Sequence, residues 1–128
     1  MSTKERGDIF EDIACNYLKK AGYKVLLRNI RVGSDEIDII CREMRTGILV
    51  FVEVKGGRSF VNFSPELHFG AEKAKRFSRA CRMFAGKYSK LVRDSGYRLD
   101  LLVVELMEDL LTDWQRDCNF RHYENVLG

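Results

Sequence analysis

The sequence predicts an α/β domain in which helices pack on a mixed central β-sheet, with elements in the order α-β-β-β-α-β. Three observations support this prediction: apolar residues at helical spacing over 8–21, an uninterrupted apolar run at 48–52, and helical spacing again over 70–93. Extended segments lie between and after the two helices, a mixture typical of the α/β class. The full length, 1–128, is that of a single domain.

The first helix is predicted over residues 8–21. Its apolar positions share one face: Phe10, Ile13, Ala14, Tyr17 and Ala21. Gly22 follows as a residue that ends a helix in a left-handed turn. Glu11 lies at the border of the apolar face, three residues after Asp8, so an Asp8 N-cap with Glu11 reaching back would form a capping box.

Three strands are predicted next. YKVLLRN forms a short strand, SDEIDIICRE a second, and ILVFVEVK a third, with RTG as the turn of a hairpin between the second and third. Because strand side chains alternate, Glu36 and Asp38 would share one face of the second strand, and Glu53 and Lys55 one face of the third. If these strands pair, three carboxylates and an ammonium group converge.

The second half of the chain begins with a loop, GGRSFVNFSPELHFG, that contains glycines and the single proline. One long helix is predicted over 70–93, and YRLDLLVVEL is the next strand. In the tail, DLLTDWQRD is compatible with a turn of helix, and NFRHYENVL with either an edge strand or irregular structure.

The long helix carries an uneven charge. The net charge of the chain is +3, but residues 73–93 hold eight Lys and Arg residues and no acid, which leaves 3 − 8 = −5 for the remainder. Five of these cations gather opposite the apolar face: Lys75, Arg79, Arg82, Lys90 and Arg93. Such a basic stripe is suited to contacts with successive phosphates of a nucleic acid, although the same pattern also serves solubility.

Several classes of protein are disfavoured by the composition. The four cysteines, Cys15, Cys41, Cys81 and Cys118, lack the spacing of a zinc site or a disulfide framework, and they are predicted to be small buried thiols. His68 and His122 stand alone and are not expected to bind metal. The charged N-terminus and the absence of a long apolar run predict a cytoplasmic protein that does not associate with membranes.

The acidic face has two interpretations. Clustered carboxylates repel one another, and a hard divalent cation such as Mg²⁺ is the natural occupant of such a cluster. With Lys55 placed to orient or deprotonate a water molecule, the chemistry would be phosphodiester hydrolysis. Alternatively, Glu53 and Lys55 form a structural ion pair where the strand emerges into solvent.

Three resemblances bear on this choice. Asp38 followed by Glu53-Val54-Lys55 at the end of an apolar strand resembles the PD-(D/E)xK motif of the restriction-endonuclease-like superfamily. Nearly the whole chain also resembles the YraN-like family of small uncharacterised bacterial proteins, through GDIFEDIACNYLKKAGYKVLLRN, EIDII, LVFVEVK, Lys73 and YRLDLLVVEL. The first helix is in addition similar to that of archaeal Holliday junction resolvases.

The resemblance implies a restriction-endonuclease-like core, a Mg²⁺ or Mn²⁺ site at Asp38 and Glu53, and Lys55 as the catalytic lysine. In the resolvases a helical glutamate joins the metal cluster, and Glu11 stands at the matching place, as an alternative to the capping box. Glu36, in the Glu-Ile-Asp run of the family, is either a further metal ligand or a residue that shapes the cleft.

Nucleic-acid contacts are expected from the basic stripe and from the end of the third strand: Lys75, Arg79, Arg82 and Arg58. Arg58 is displaced by one residue from the usual arginine of the family, because Gly56 and Gly57 both precede it. The chain also has Asp35 where the family usually has a glycine, which adds a negative charge near the site.

The sequence therefore predicts a metal-dependent, endonuclease-like protein that acts on DNA, with branched DNA or repair intermediates among the candidate substrates. A non-catalytic nucleic-acid-binding module on the same fold, or a purely structural role, is the alternative. A resolvase-like protein would need a two-fold homodimer to cut two strands.

Overall fold

In a computed structural model, the described residues are 3–58, 69–107 and 112–126. The elements, in chain order, are α1 (Thr3–Lys20), β1 (Tyr23–Val32), β2 (Asp35–Glu43), β3 (Leu49–Arg58), α2 (Ala71–Lys87), α3 (Ser89–Val92), β4 (Tyr97–Leu106), α4 (Trp114–Asp117) and β5 (Cys118–Tyr123). The α-β-β-β-α-β order predicted for a restriction-endonuclease-like core is confirmed, with α3, α4 and β5 in addition. The tail thus contains both the predicted turn of helix and an edge strand.

The five strands form one mixed sheet in the order β1-β2-β3-β4-β5. The first three strands are antiparallel neighbours, β4 lies parallel to β3, and β5 lies antiparallel to β4. Parallel neighbours require a crossover, and α2 and α3 lie in the connection between β3 and β4. The strands at the centre of the sheet are therefore β2, β3 and β4.

Helices cover both faces of the sheet, and each face has its own apolar core. The core on the α1 side includes Ala14, Leu18, Ile39, Val52 and Val104. The core on the α2 side includes Ile40, Phe51, Phe77, Ala80 and Phe84. Because β3 contributes to both cores, its run of apolar residues is buried on two sides, which is the reason for the uninterrupted pattern in the sequence.

The predicted first helix begins earlier than expected. It starts at Thr3, so Asp8 and Glu11 both lie inside it. Asp8 is therefore not the N-cap, and the capping-box interpretation of Glu11 is wrong. The C-terminal prediction is confirmed: the helix ends at Lys20, and Gly22 follows with a φ of 95°.

The predicted continuous helix over 70–93 is confirmed as far as Lys87 and is wrong after it. The helix breaks at Tyr88, whose backbone has φ −116° and ψ 50°, and α3 follows in its place. Tyr88 itself is exposed. One physical reason is visible at Leu91, whose carbonyl oxygen accepts a 2.7 Å hydrogen bond from the buried Arg42 guanidinium and so ties α3 to β2.

Strict alternation along β2 is also wrong. Ile37 and Ile40 both pack in the core on the α2 side, whereas Ile39 and Cys41 pack on the α1 side. The pairing of β2 with β3 covers only Ile39 to Arg42, and the earlier residues pair with β1 alone. The first half of β2 is thus not paired with β3. Its side chains therefore need not continue the alternation between the two faces of the sheet that the second half follows.

The remaining expectations concern cysteines, histidines and membranes. All four cysteines are buried and free, as predicted. The Nε2 atom of His122 lies 2.8 Å from Asp100 Oδ2, an interaction inside the fold, while His68 and most of the predicted loop fall outside the described residues. No helix in the described part of the chain is long and apolar enough to cross a membrane.

Candidate active site

The candidate site lies where β2 and β3 separate. Their pairing ends at Ile39 and Val52, and the backbone N–H of Val54 instead donates a 2.8 Å hydrogen bond to Asp38 Oδ2. The carboxylate thus occupies the gap between the diverging strands and satisfies a donor that the ladder leaves unpaired. This contact fixes Asp38 next to the end of β3.

Glu53 and Lys55 lie on the next two alternate positions of β3. They share its α2-side face with Phe51, and β4 pairs along this part of β3, with Glu53 opposite Leu101 and Lys55 opposite Val103. The Lys55 Nζ atom is 3.7 Å from Glu53 Oε1, and both side chains are only 18% exposed. The pair is therefore held on a central strand at the edge of the core.

The pKa of Glu53 bears on the choice between an ion pair and a strained carboxyl group. Burial, followed by the neighbouring charge of Asp38, raises this pKa to about 8, although Lys55 and Lys73 act in the opposite direction. A structural ion pair would instead lower the pKa of the carboxyl group. The distance to Lys55 is short enough for an ion pair, but its attraction does not offset burial and the repulsion of Asp38.

Glu11 approaches Asp38 from α1. Its Oε1 atom is fully buried and has no hydrogen-bond partner among the described residues. Arg28 approaches that atom only to 3.8 Å and contacts Asp12 at 2.8 Å instead. Burial raises the pKa of Glu11 to about 7, and the charge of Asp38 is the next largest cause. Glu11 and Asp38 therefore belong to one electrostatic group.

Gly56 allows α1 to come this close to β3. A Cβ atom at this position would lie 2.1 Å from the nearest ring atom of Phe10, far inside van der Waals contact. Phe10 therefore packs directly on the backbone of β3 at Gly56. Gly56 follows Lys55 in β3, and Phe10 precedes Glu11 in α1. A glycine is required here because the helix approaches the strand backbone.

Glu36 does not join the buried carboxylates. It is exposed, and its charge acts on Glu11 as one of the weaker causes of the raised pKa. Within the described ranges, no three Asp, Glu, His or Cys side chains are grouped as a preformed metal site. The structure thus brings Asp38 close to Glu53 and Lys55, and Glu11 into the electrostatic range of Asp38, without a complete all-protein cage for an ion.

Comparison with known proteins places the chain in a family. A model described as "Uncharacterised protein family UPF0102" matches residues 10–104, a range that contains all the residues of the candidate site. The chain belongs to this family. The resemblance to the YraN-like proteins predicted from the sequence is thereby confirmed.

Relatives of the UPF0102 chain extend over most of its length. The UPF0102 protein of Kosmotoga olearia is 40% identical over 104 residues, which cover 81% of this chain and 84% of the relative. The UPF0102 protein of Carboxydothermus hydrogenoformans is 31% identical over 130 residues, covering 99% of this chain and 98% of the relative.

Two solved structures have a distant likeness to the UPF0102 chain. The EndoMS-dsDNA2 complex has a TM-score of 0.40 at 15% identity, covering 81% of this chain and 37% of the EndoMS chain. Pyrococcus furiosus SfsA in complex with Ca²⁺ has a TM-score of 0.34 at 17% identity, covering 96% of this chain and 64% of SfsA. The UPF0102 chain therefore spans less than two thirds of either protein.

The basic stripe of the UPF0102 chain is partly engaged within the fold. Lys75, Arg79 and Arg82 are exposed on α2, but the guanidinium of Arg79 contacts Asp35 Oδ2 through Nη2 at 2.9 Å and Nε at 3.2 Å. The negative charge of Asp35 is thus compensated. Arg58 is exposed at the end of β3, and these four residues stay predicted contacts for nucleic acid.

One residue of the UPF0102 site was not assigned a role from the sequence. Lys73 lies in the first turn of α2, and the proximity of Lys55 lowers the pKa of Lys73. The sequence placed Lys73 only within the basic segment, because its position near Lys55 depends on how α2 packs against β3. Its presence among the segments that resemble the YraN-like family was the one available signal.

Proposed function

We propose that this protein is a metal-dependent nuclease that hydrolyses phosphodiester bonds of DNA. The observation that carries the proposal is Glu53, a half-buried carboxyl group whose pKa is raised to about 8 next to Asp38 in spite of Lys55. Such crowding costs folding free energy, and perturbed carboxyl groups of this kind concentrate at functional sites. A bound cation would remove that cost.

The donor set fits a hard divalent ion. Asp38 and Glu53 would hold Mg²⁺ or Mn²⁺, with the unpartnered Oε1 atom of Glu11 as a further ligand. All three groups offer carboxylate oxygens, the ligands Mg²⁺ prefers, and Mg²⁺ usually keeps water and substrate oxygens in its remaining positions. When bound, the ion would polarise the phosphate and stabilise negative charge that develops on it. Glu36, which is exposed, is proposed only as an outer contact.

The protein groups would supply orientation. The Val54 N–H holds Asp38 in one position, and β4 holds Glu53 and Lys55 on a central strand. Lys55 would position the attacking water and donate a hydrogen bond to the phosphate, while Asp38 and Glu53 would hold the ion. Lys75, Arg79, Arg82 and Arg58 would contact the DNA backbone and place it across the cleft.

One observation favours a second function. Because the described residues contain no preformed group of three metal ligands, the same fold could act as a nucleic-acid-binding module without turnover. The two functions differ in what the carboxylates do, since a binding module has no use for an ion at Asp38 and Glu53. Divalent-ion binding and cleavage therefore separate them.

The test is a cleavage assay of the purified protein in Mn²⁺ or Mg²⁺ with linear, flapped and branched DNA and with RNA. Wild type is expected to cut at least one DNA substrate, and Asp38→Asn and Glu53→Gln are expected to cut none. Glu43→Gln is the matched control, because Glu43 lies at the other end of β2 in an ion pair with Arg98. DNA binding by wild type without cleavage of any substrate would favour the binding module.

The same panel of substrates would also test whether the protein acts as a homodimer. Symmetric cutting of a four-way junction requires two active sites related by a two-fold axis, so activity confined to branched DNA should coincide with a dimer in sedimentation experiments. Activity on linear or flapped DNA by a monomer would instead exclude resolvase-like action.

A further inference from the structure

Asn29 interrupts β1 at the point that faces Asp38. Its backbone is left-handed, with a φ of 52°, although it lies inside a strand of ten residues. The flanking pairs of the ladder between β1 and β2 are Arg28 with Ile39 and Ile30 with Ile37. Asn29 and Asp38 are the residues between these two pairs, so the irregular backbone lies opposite a residue of the candidate site.

Both strands change faces of the sheet at this point. In a regular strand, residues two apart lie on the same face. On β1, Arg28 forms an ion pair with α1, whereas Ile30 packs against the core on the α2 side. On β2, Ile37 packs on the α2 side and Ile39 on the α1 side. The reversal therefore occurs at Asn29 in β1 and at the residue opposite it in β2.

The left-handed conformation of Asn29 is the local cause of this reversal in β1. An L-residue rarely adopts a positive φ, and asparagine tolerates it better than most residues other than glycine. Among the described residues, the other non-glycine positions with positive φ are Arg93 and Asn125, and both lie outside the strands. Strained backbone inside a strand is uncommon, and such outliers concentrate at functional sites.

The reversal determines where the Asp38 carboxylate lies. N–H groups of a strand point sideways in the plane of the sheet, towards the neighbouring strand. Because Asp38 Oδ2 accepts a 2.8 Å hydrogen bond from the N–H of Val54, the carboxylate lies close to this plane. It thus lies between the α1 side of the sheet, from which Glu11 approaches, and the α2 side, which carries Glu53. A side chain in regular alternation would project to one face only.

We propose that Asn29 is a positioning residue of the candidate site, whose left-handed backbone directs the Asp38 carboxylate into the gap between β2 and β3. The inference rests on the proposed function for the role of Asp38 as an ion ligand, but the placement of Asp38 is a separate claim. Asn29 acts through its backbone. A residue that keeps the left-handed conformation should preserve the placement, and one that favours the extended conformation should withdraw the carboxylate from Val54.

The first test measures hydrogen exchange of the Val54 amide by NMR in metal-free protein, as a ratio to exchange of the Val52 amide in the same strand. Asn29→Val is expected to increase this ratio about tenfold, the equivalent of one hydrogen bond, because a β-branched residue is strained at positive φ. Asn29→Gly should retain the wild-type ratio, since glycine adopts positive φ without strain. Asn125→Val is the matched control, because Asn125 is exposed and has a φ of 53° but lies in the turn after β5.

The second test measures Mg²⁺ binding by isothermal titration calorimetry. Asn29→Val is expected to bind Mg²⁺ about tenfold to a hundredfold more weakly than wild type, the usual effect of losing a group that orients a metal ligand. Asn29→Gly and Asn125→Val should bind Mg²⁺ as wild type does. Thermal melting should show that the variants are folded, and Asn29→Ala, which is less strained, replaces a valine variant that does not fold.

The outcomes separate this inference from the proposed function. A wild-type Val54 exchange ratio in folded Asn29→Val, or an increased ratio in Asn29→Gly, would overturn the positioning role, whatever the cleavage assay shows. An equal increase in Asn125→Val would attribute the change to general strain and would also overturn it. An increase confined to Asn29→Val, in a protein whose wild type binds no Mg²⁺, would retain the positioning role and remove the metal-dependent nuclease.

Discussion

Glu53→Gln should make the protein more stable relative to wild type as the pH rises. The folded-state pKa of Glu53, about 8, lies above its ordinary value of 4.5, so the folded protein holds this proton more tightly than the unfolded chain does. Wild-type stability from this group is therefore complete below about pH 4.5 and is lost as the pH rises towards 8. Glutamine stays neutral across this range, so the variant lacks this pH-dependent loss.

The size of this stability difference follows from the pKa shift of Glu53. Each pH unit between the two pKa values changes the free energy of unfolding by about 1.4 kcal/mol, so wild type should lose about 2 kcal/mol relative to Glu53→Gln between pH 5.5 and pH 7. Other titrating groups, including Glu11, are present in both proteins and largely cancel. Urea unfolding at the two pH values, without divalent ions, measures the difference.

Glu43→Gln is the control for this experiment as well. A hydrogen bond from Thr46 lowers the pKa of Glu43, so this carboxylate is ionised in the folded and unfolded states across the range. Its difference from wild type should not change between pH 5.5 and pH 7. If Glu53→Gln were instead less stable than wild type by about 3–5 kcal/mol at both pH values, as expected when a buried ion pair loses one partner, Glu53 would be a structural partner of Lys55 and the nuclease proposal would fall.

Three further predictions concern the metal, the reaction and the DNA. Mg²⁺ should raise the melting temperature of wild type and have less effect on Glu53→Gln, because an ion that binds only the folded state stabilises it; equal shifts would remove Glu53 from the ion site. Asp38→Asn should abolish Mg²⁺-dependent cleavage while DNA binding persists or tightens, and surviving activity would point to another site or a contaminant. Arg79→Ala combined with Arg82→Ala should weaken binding to all sequences and flatten its salt dependence, and unchanged affinity in anisotropy titrations would exclude the stripe.

The central strand was the part of the site most accessible from the sequence. An apolar run that ends in Glu53-Val54-Lys55 has few structural alternatives, because only a strand buried on two faces needs so many consecutive apolar residues. Asp38 was expected beside it through regular alternation of β2, and that reasoning was wrong. Asp38 instead lies beside Glu53 because the strands separate at Val54.

Contacts between distant elements could not be predicted. The proximity of Lys73 to Lys55, the contact of Arg79 with Asp35, and the packing of Phe10 on Gly56 all depend on where helices lie on the sheet. Helical periodicity specifies which face of a helix is buried but not its position along the strands. The contact between Arg79 and Asp35 also reduces the positive charge that the basic stripe offers to a nucleic acid, because one of its cations already compensates a carboxylate of the fold.

The two roles of Asp38 decide which variants can isolate chemistry from folding. Its carboxylate satisfies the Val54 N–H, which the parting of β2 and β3 leaves without a ladder partner, and it also crowds Glu53. Alanine would remove both roles and leave a partly buried donor unsatisfied, a cost of about 1–3 kcal/mol. Asparagine keeps an oxygen for Val54 while it removes the charge that raises the pKa of Glu53. Inactivity of Asp38→Asn with unchanged or raised stability therefore locates the defect in the chemistry of the site, an interpretation that Asp38→Ala does not allow.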